Sequence, residues 1–294
     1  MRKPSHRSRA AVAVLTAALL GVTGCDAVGG GSSEPTQKAK PTAQPASAWD
    51  TSPDSVAAVG DSITRGFDAC SVLHDCPEVS WATGSRDDVD SLAVRLLGKS
   101  GAEERSWNYA ETGARMADLS GQMTEAAARS PELVTVMIGA NDACRDSTDE
   151  MTSVDDFRDD FEDSLSVLHE EAPDAEVYVS SVPDLKRLWS QGRDSRMARA
   201  VWRLDICPTM LDDAESMDAA AVERRDAVQD RVQEYNEALE EVCAENRFCR
   251  FDDGAVYDYQ FGTEQLSRWD WFHPSVNGQA RLAEIAYRRV TSVT

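Results

Sequence analysis

From residue 56 onward, short β-rich runs alternate with longer stretches of helical period, and this alternation constrains the fold more than any other feature. Branched and aromatic residues cluster at 56–59, 106–109, 133–138, 176–180 and 247–251, which predicts strands. Between the third and fourth runs, Val154, Phe157, Phe161, Leu165 and Leu168 recur at helical spacing over 153–170, and Ser153 with Asp156 resembles a capping box. The segments 221–243 and 275–290 read as further helices. Repeated strand, helix, strand units imply an α/β fold with a parallel sheet covered on both faces. Such sheets bind ligands beyond the carboxyl ends of their strands, so polar residues there are the ones to inspect. Neither an internal repeat nor a second domain is visible.

The first 24 residues have a different character. Arg2, Lys3, Arg7 and Arg9 precede an apolar run over 10–22, the layout of an export signal and too short for a membrane-spanning helix. Val22-Thr23-Gly24-Cys25 resembles a bacterial lipoprotein box, which implies cleavage before Cys25 and lipid attachment to its sulfur; ordinary secretion is the alternative. Residues 25–52 are rich in Gly, Ser, Pro, Thr and Ala and are expected to form a flexible tether, followed by one domain over 53–294.

Charge and cysteine content then divide by position. The 294 residues carry formal charge -22, and loss of the leader removes four positive charges and no negative ones, giving -26. A chain this acidic is repelled by phosphate backbones, so no nucleic-acid partner is expected. Besides Cys25 there remain Cys70, Cys76, Cys144, Cys207, Cys243 and Cys249, an even set that in an oxidising compartment reads as three disulfides. Short spacings favour Cys70 with Cys76 and Cys243 with Cys249, leaving Cys144 with Cys207. No Cys-x-x-Cys pair marks a structural zinc site.

Several residues near strand ends carry chemistry. Gly60-Asp61-Ser62 follows the first strand, and Ser62 is either a nucleophile awaiting a base or a helix N-cap. Of the histidines, His6 falls in the leader, while His74 and His169 read as solvated. His273 differs, because Asp270 precedes it by three residues in Asp270-Trp271-Phe272-His273-Pro274 and can orient the imidazole. Asn141 follows the third strand and Gly113 the second; each suits donation to an oxyanion or simple turn formation.

Taken in order, the blocks at Ser62, Gly113, Asn141 and His273 resemble those of the SGNH hydrolases, or GDSL esterases and lipases, over 56–294. The resemblance implies a three-layer α/β/α sandwich with a central, mostly parallel sheet of flavodoxin-like type, and a mechanism with no metal and no cofactor. Ser62 would attack an ester carbonyl, His273 would accept its proton, and Asp270 would orient His273. Ser62 N–H, Gly113 and Asn141 would hold the oxyanion. Asp61 and Asp142 are expected to brace their turns. An insertion over about 186–220, with Leu188, Trp189, Met197, Val201, Trp202, Leu204 and Met210, would form a cap near the site or simply pack on the body.

The expected protein is thus an esterase or lipase hydrolysing small-molecule, lipid or polysaccharide esters, exported and either held at the membrane through Cys25 or secreted, and acting as a monomer. A carbohydrate O-deacetylase would use the same site. From a different class, a non-catalytic envelope-binding lipoprotein would share the fold.

Overall fold

A computed structural model describes residues 49–293; the expected leader, Cys25 and most of the expected tether lie outside these residues. Five strands form one sheet: β1 Val56–Gly60, β2 Ser106–Asn108, β3 Leu133–Met137, β4 Glu176–Val179 and β5 Cys249–Phe251. Every pairing is parallel and the spatial order is β2-β1-β3-β4-β5. Each predicted strand is present, with ends moved by a residue or two. Strands β1, β3 and β4 are buried along their whole length, which is why they read as continuous apolar runs rather than as alternating ones.

The helices are α1 Ser62–Arg65, α2 Leu92–Arg105, α3 Leu119–Ala127, α4 Ala140–Ala143, α5 Val154–Glu171, α6 Leu185–Gly192, α7 Arg196–Trp202, α8 Pro208–Leu211, α9 Ala219–Glu245 and α10 Val276–Val290. Moving from β1 to β2 runs one way across the sheet; the three later crossovers run the other way. Right-handed connections therefore place α2 on one face and α3, α5 and α9 on the opposite one. The packing agrees: α10 lies on α2, α3 packs on α5, and α5 packs on α9. The result is a three-layer α/β/α sandwich.

Local chemistry explains several boundaries. Ser153 caps α5 by accepting from Asp156 N at 3.1 Å, but the Asp156 carboxylate takes the Ser153 hydroxyl at 2.7 Å instead of a backbone N–H, so only half of a capping box forms. Helix α2 escapes sequence reading because Gly98, at φ +69°, kinks it and Gly101 follows.

Residues 49 and 50 are held against the body. Trp49 Nε1 donates to Val290 O at 2.9 Å, the Arg250 guanidinium lies over its ring, and Asp50 N donates to Glu176 Oε1 at 2.8 Å. One aromatic ring and one backbone donor thus fix 49–50 to the body.

Disulfides join Cys70 to Cys76, Cys144 to Cys207 and Cys243 to Cys249. The insertion is organised from beneath by Arg225, whose buried guanidinium donates to the carbonyls of Met210, Asp212, Asp213, Ser216 and Ala221 and lies over the Trp189 ring. Burial of that charge is offset by five carbonyl dipoles.

Candidate active site

The first element of the site is the turn between β1 and α1. Gly60 adopts φ +139°, and a Cβ there would lie 2.2 Å from Met137 O on the neighbouring strand, so only glycine fits. The Gln122 side chain clamps this turn, its Oε1 accepting from Gly60 N at 2.7 Å and its Nε2 donating to Gly60 O at 2.9 Å. Asp61, not Ser62, is the N-cap of α1: its Oδ1 accepts from Ile63 N at 2.9 Å. The Ser62 hydroxyl is thereby left for other work.

That hydroxyl lies 2.8 Å from His273 Nε2, across 211 residues of sequence. On the other side of the ring, His273 Nδ1 is 2.6 Å from Asp270 Oδ2. With the Nδ1 proton committed to the carboxylate, Nε2 is the acceptor for the Ser62 hydroxyl. Asp270 Oδ1 accepts from Phe272 N and His273 N at 2.9 and 3.0 Å, which folds 270–273 into a tight turn. Trp271 sits within it at φ +53°, a conformation a bulky side chain adopts only when its surroundings demand it. Two such demands are visible. Trp271 N donates to Ser267 O at 2.8 Å, and Trp202 Nε1 donates to Asp270 O at 2.7 Å. Phe67 and Phe272 flank the imidazole, with ring centroids 5.0 and 5.5 Å away.

Electrostatics follow from burial. Burial opposes ionisation of Asp270, but the His273 ring, its hydrogen bond and the two backbone N–H groups outweigh it and hold the carboxyl below its ordinary range. Burial likewise opposes charging of His273; Asp270, with Asp61 and Asp68 behind it, outweighs that and raises its pKa. Desolvation pushes Asp61 up to about 7, against the Ile63 N–H that favours its ionised form. Asp142 ties two loops, with Oδ2 accepting from Met116 N at 3.0 Å and Oδ1 accepting from Thr152 Oγ1 at 2.7 Å. Both acids therefore brace backbone.

Gly113 and Asn141 line the same cavity as His273. At Gly113 φ is +88°, and a Cβ there would meet nothing within 4 Å, so backbone conformation rather than crowding requires glycine. Asn141 Nδ2 donates to Ala114 O at 2.9 Å, which fixes the two positions relative to each other and leaves the second amide hydrogen uncommitted. The cavity, about 220 Å³, is otherwise mainly apolar, with Leu185, Leu188, Ile206, Phe261, Leu266 and Phe272 in its walls and the Cys144–Cys207 bridge exposed to it. Of the seven apolar insertion residues picked out by sequence, only Leu188 lines it. Trp189, Trp202 and Met210 are core, and Met197 and Leu204 face solvent. Asp205, Ile206 and Cys207, which sequence did not mark as walls, do contribute.

Among the described residues, the other two histidines stand apart. His74 is exposed, and His169 Nε2–H donates to Ala175 O at 3.0 Å.

The model of GDSL-like lipases and acylhydrolases matches residues 56–286. This chain belongs to the GDSL-like lipase/acylhydrolase family. It is 24% identical over 242 residues to mouse membrane-associated phospholipase B1, covering 68% of this chain and 16% of that protein's length. The GDSL-like chain thus spans about a sixth of that relative. Among solved structures it is similar to phospholipase A1 from Streptomyces albidoflavus NA297, at 18% identity and TM-score 0.47, covering 82% of this chain and 100% of that one. A family two carbohydrate esterase from Clostridium thermocellum is similar at 12% identity and TM-score 0.44, covering 83% of this chain and 63% of that one.

Proposed function

We propose that this chain is a serine hydrolase of carboxylic esters that works through an acyl-enzyme. The observation that carries this reading is the continuous hydrogen-bonded series Ser62 Oγ, His273 Nε2, His273 Nδ1 and Asp270 Oδ2 opening into an apolar cavity. Ser62 attacks the ester carbonyl while His273 takes its proton, and the buried Asp270 stabilises the imidazolium. The Ser62 N–H, in the first turn of a helix and so without an intrahelical acceptor, joins Gly113 N–H and Asn141 Nδ2 in holding the oxyanion. His273 then protonates the departing alcohol. Water, deprotonated by the same imidazole, releases the acid and regenerates Ser62.

The cavity walls support an acyl group longer than acetyl, from small-molecule or lipid esters. Three disulfides support export to an oxidising compartment, where Cys25 would carry the lipid anchor. The test is a p-nitrophenyl ester panel from C2 to C16 with the unaltered chain and Ser62→Ala. Turnover peaking beyond C2 and lost in the variant is expected. A sharp fall beyond C2 would move the assignment to a deacetylase. No turnover on any ester, together with no labelling by a fluorophosphonate, would sink the catalytic reading in favour of a binding lipoprotein.

A further inference from the structure

Of the six large apolar side chains that stand exposed among the described residues, four lie on two segments attached to the wall of the active-site cavity. Val72 and Leu73, 54% and 71% exposed, belong to the loop closed by the Cys70–Cys76 bridge. Met197 and Leu204, 62% and 71% exposed, belong to α7 and the turn that follows it. Exposure of one such residue is ordinary, but their concentration beside one cavity is not.

Both segments are held in place. Leu73 adopts φ +48°, which a bulky side chain accepts only when its surroundings demand it. Leu73 N donates to Asp68 Oδ1, and Asp68 N donates to His74 O at 3.0 Å. Asp75 of the same loop accepts from Thr112 Oγ1 at 2.6 Å, and Thr112 lines the cavity. On the second segment Arg196, Met197, Ala200, Arg203 and Leu204 are exposed, and spacings of three, four and seven residues put them on one face. Leu204 N donates to Val201 O at 2.9 Å, which carries the turn beyond the helix. The next residues, Asp205, Ile206 and Cys207, line the cavity.

Charge on these segments runs against that of the chain. Asp75 is committed to Thr112 and, at 3.3 Å, to Arg65. Arg199 pairs with Glu215 at 3.1 Å, whereas Arg196 and Arg203 have no ion pair among the described residues, although the chain holds 52 acidic against 30 basic side chains. Exposed carboxylates stand at either end of the face, Asp194 at 3.9 Å from Arg193 and Asp205 at the cavity. Guanidinium groups pair with phosphate, carboxylates with ammonium groups, and Leu, Met and Val side chains with acyl tails. A zwitterionic phospholipid bilayer offers all three together. An anionic bilayer suits the face less, because the chain as a whole carries -22.

We propose that Val72, Leu73, Met197 and Leu204 form a docking surface that seats the cavity on a phosphatidylcholine-type bilayer, with Arg196 and Arg203 at the level of its phosphates. The proposal rests on the ester-hydrolase reading: docking lets a lipid ester pass from the bilayer to Ser62 without crossing water.

The test uses the full chain and vesicles of a diether phosphatidylcholine, whose lack of ester bonds separates binding from turnover. In the unaltered chain, peroxide oxidation of Met197, followed by peptide mass, slows about fivefold or more when vesicles are added. The pair Leu73→Asn and Leu204→Ser, with asparagine chosen because it tolerates the positive φ, lowers partitioning to the vesicles about tenfold or more. The pair Arg196→Gln and Arg203→Gln lowers it about threefold or more. Hydrolysis of a soluble p-nitrophenyl ester stays unchanged in both variants, since none of these residues lines the cavity. The leader and Cys25 are common to every chain compared, so they produce no difference between variants. Met197 oxidation unmoved by vesicles overturns the surface, as does partitioning that is equal in the unaltered chain and the apolar variant. Binding that requires phosphatidylglycerol overturns the zwitterionic assignment. Absence of turnover on any ester, with vesicle binding intact, counts against the hydrolase reading alone.

Discussion

Trp202 Nε1 donates to the main-chain oxygen of Asp270 at 2.7 Å, joining the insertion to the turn that presents His273. The insertion is therefore part of the support for the site. Removing this donor leaves a buried carbonyl unsatisfied, and Gly192 packs so closely on the Trp202 ring that the space would not be refilled by its neighbours. Trp202→Phe is expected to lower stability by about 2 kcal/mol. It should also lower kcat more than it changes KM, because the ring is not a cavity wall. Urea unfolding and steady-state kinetics on one preparation check both; a KM effect alone would contradict this account.

The three disulfides should differ in worth according to the chain they close. Cys144 and Cys207 are 63 residues apart, whereas Cys70 and Cys76 are 6 apart. Loop entropy then assigns about 4 kcal/mol to the first and about 2 kcal/mol to the second. Paired Cys→Ser variants compared by urea unfolding test the order. Equal losses would show that strain or residual structure, not loop closure, dominates. Because the Cys144–Cys207 bridge also lines the cavity, its loss should broaden the acyl-length profile.

Asp61 predicts a pH dependence of stability. Its pKa is near 3.8 when unperturbed and about 7 in the fold, where Oδ2 is buried without a hydrogen-bond partner. The folded state binds that proton more tightly than the unfolded chain. This contribution is therefore complete in acid, declines as pH rises from about 4 toward 7, and is absent above. Asp61→Asn keeps an acceptor for Ile63 N without the charge. It should match the unaltered chain at pH 4 and exceed its stability at pH 8 by roughly 2 to 4 kcal/mol. Thermal melts at the two pH values decide; a variant less stable at pH 8 would mean that the carboxylate has a partner in solution.

Ile206 tests the cavity as the seat of the acyl chain. Ile206→Trp adds volume to a wall without touching Ser62, His273 or Asp270. Hydrolysis of long-chain esters should fall tenfold or more while that of acetyl esters changes little. A uniform fall across the ester panel would place the acyl chain elsewhere.

Much of this was legible in the order of residues. Strands β1 to β5 announce themselves by branched apolar runs, and α5, α9 and α10 by helical period. Asp270 and His273 are three residues apart, so one turn brings them together whatever the rest of the chain does. The α2 helix was hidden by its own glycines.

The sequence by itself determined the layered α/β architecture, the residue types of the site and their positions at strand ends, because periodicity and turn chemistry act over a few neighbouring residues. Tertiary structure alone decided that Asp61 caps α1 and frees the Ser62 hydroxyl for His273, 211 residues away. It also brought Trp202 onto the Asp270 carbonyl and Arg225 beneath the insertion. These contacts join segments that no local preference relates. They form only when packing of the sheet and its helices has fixed where each loop must lie.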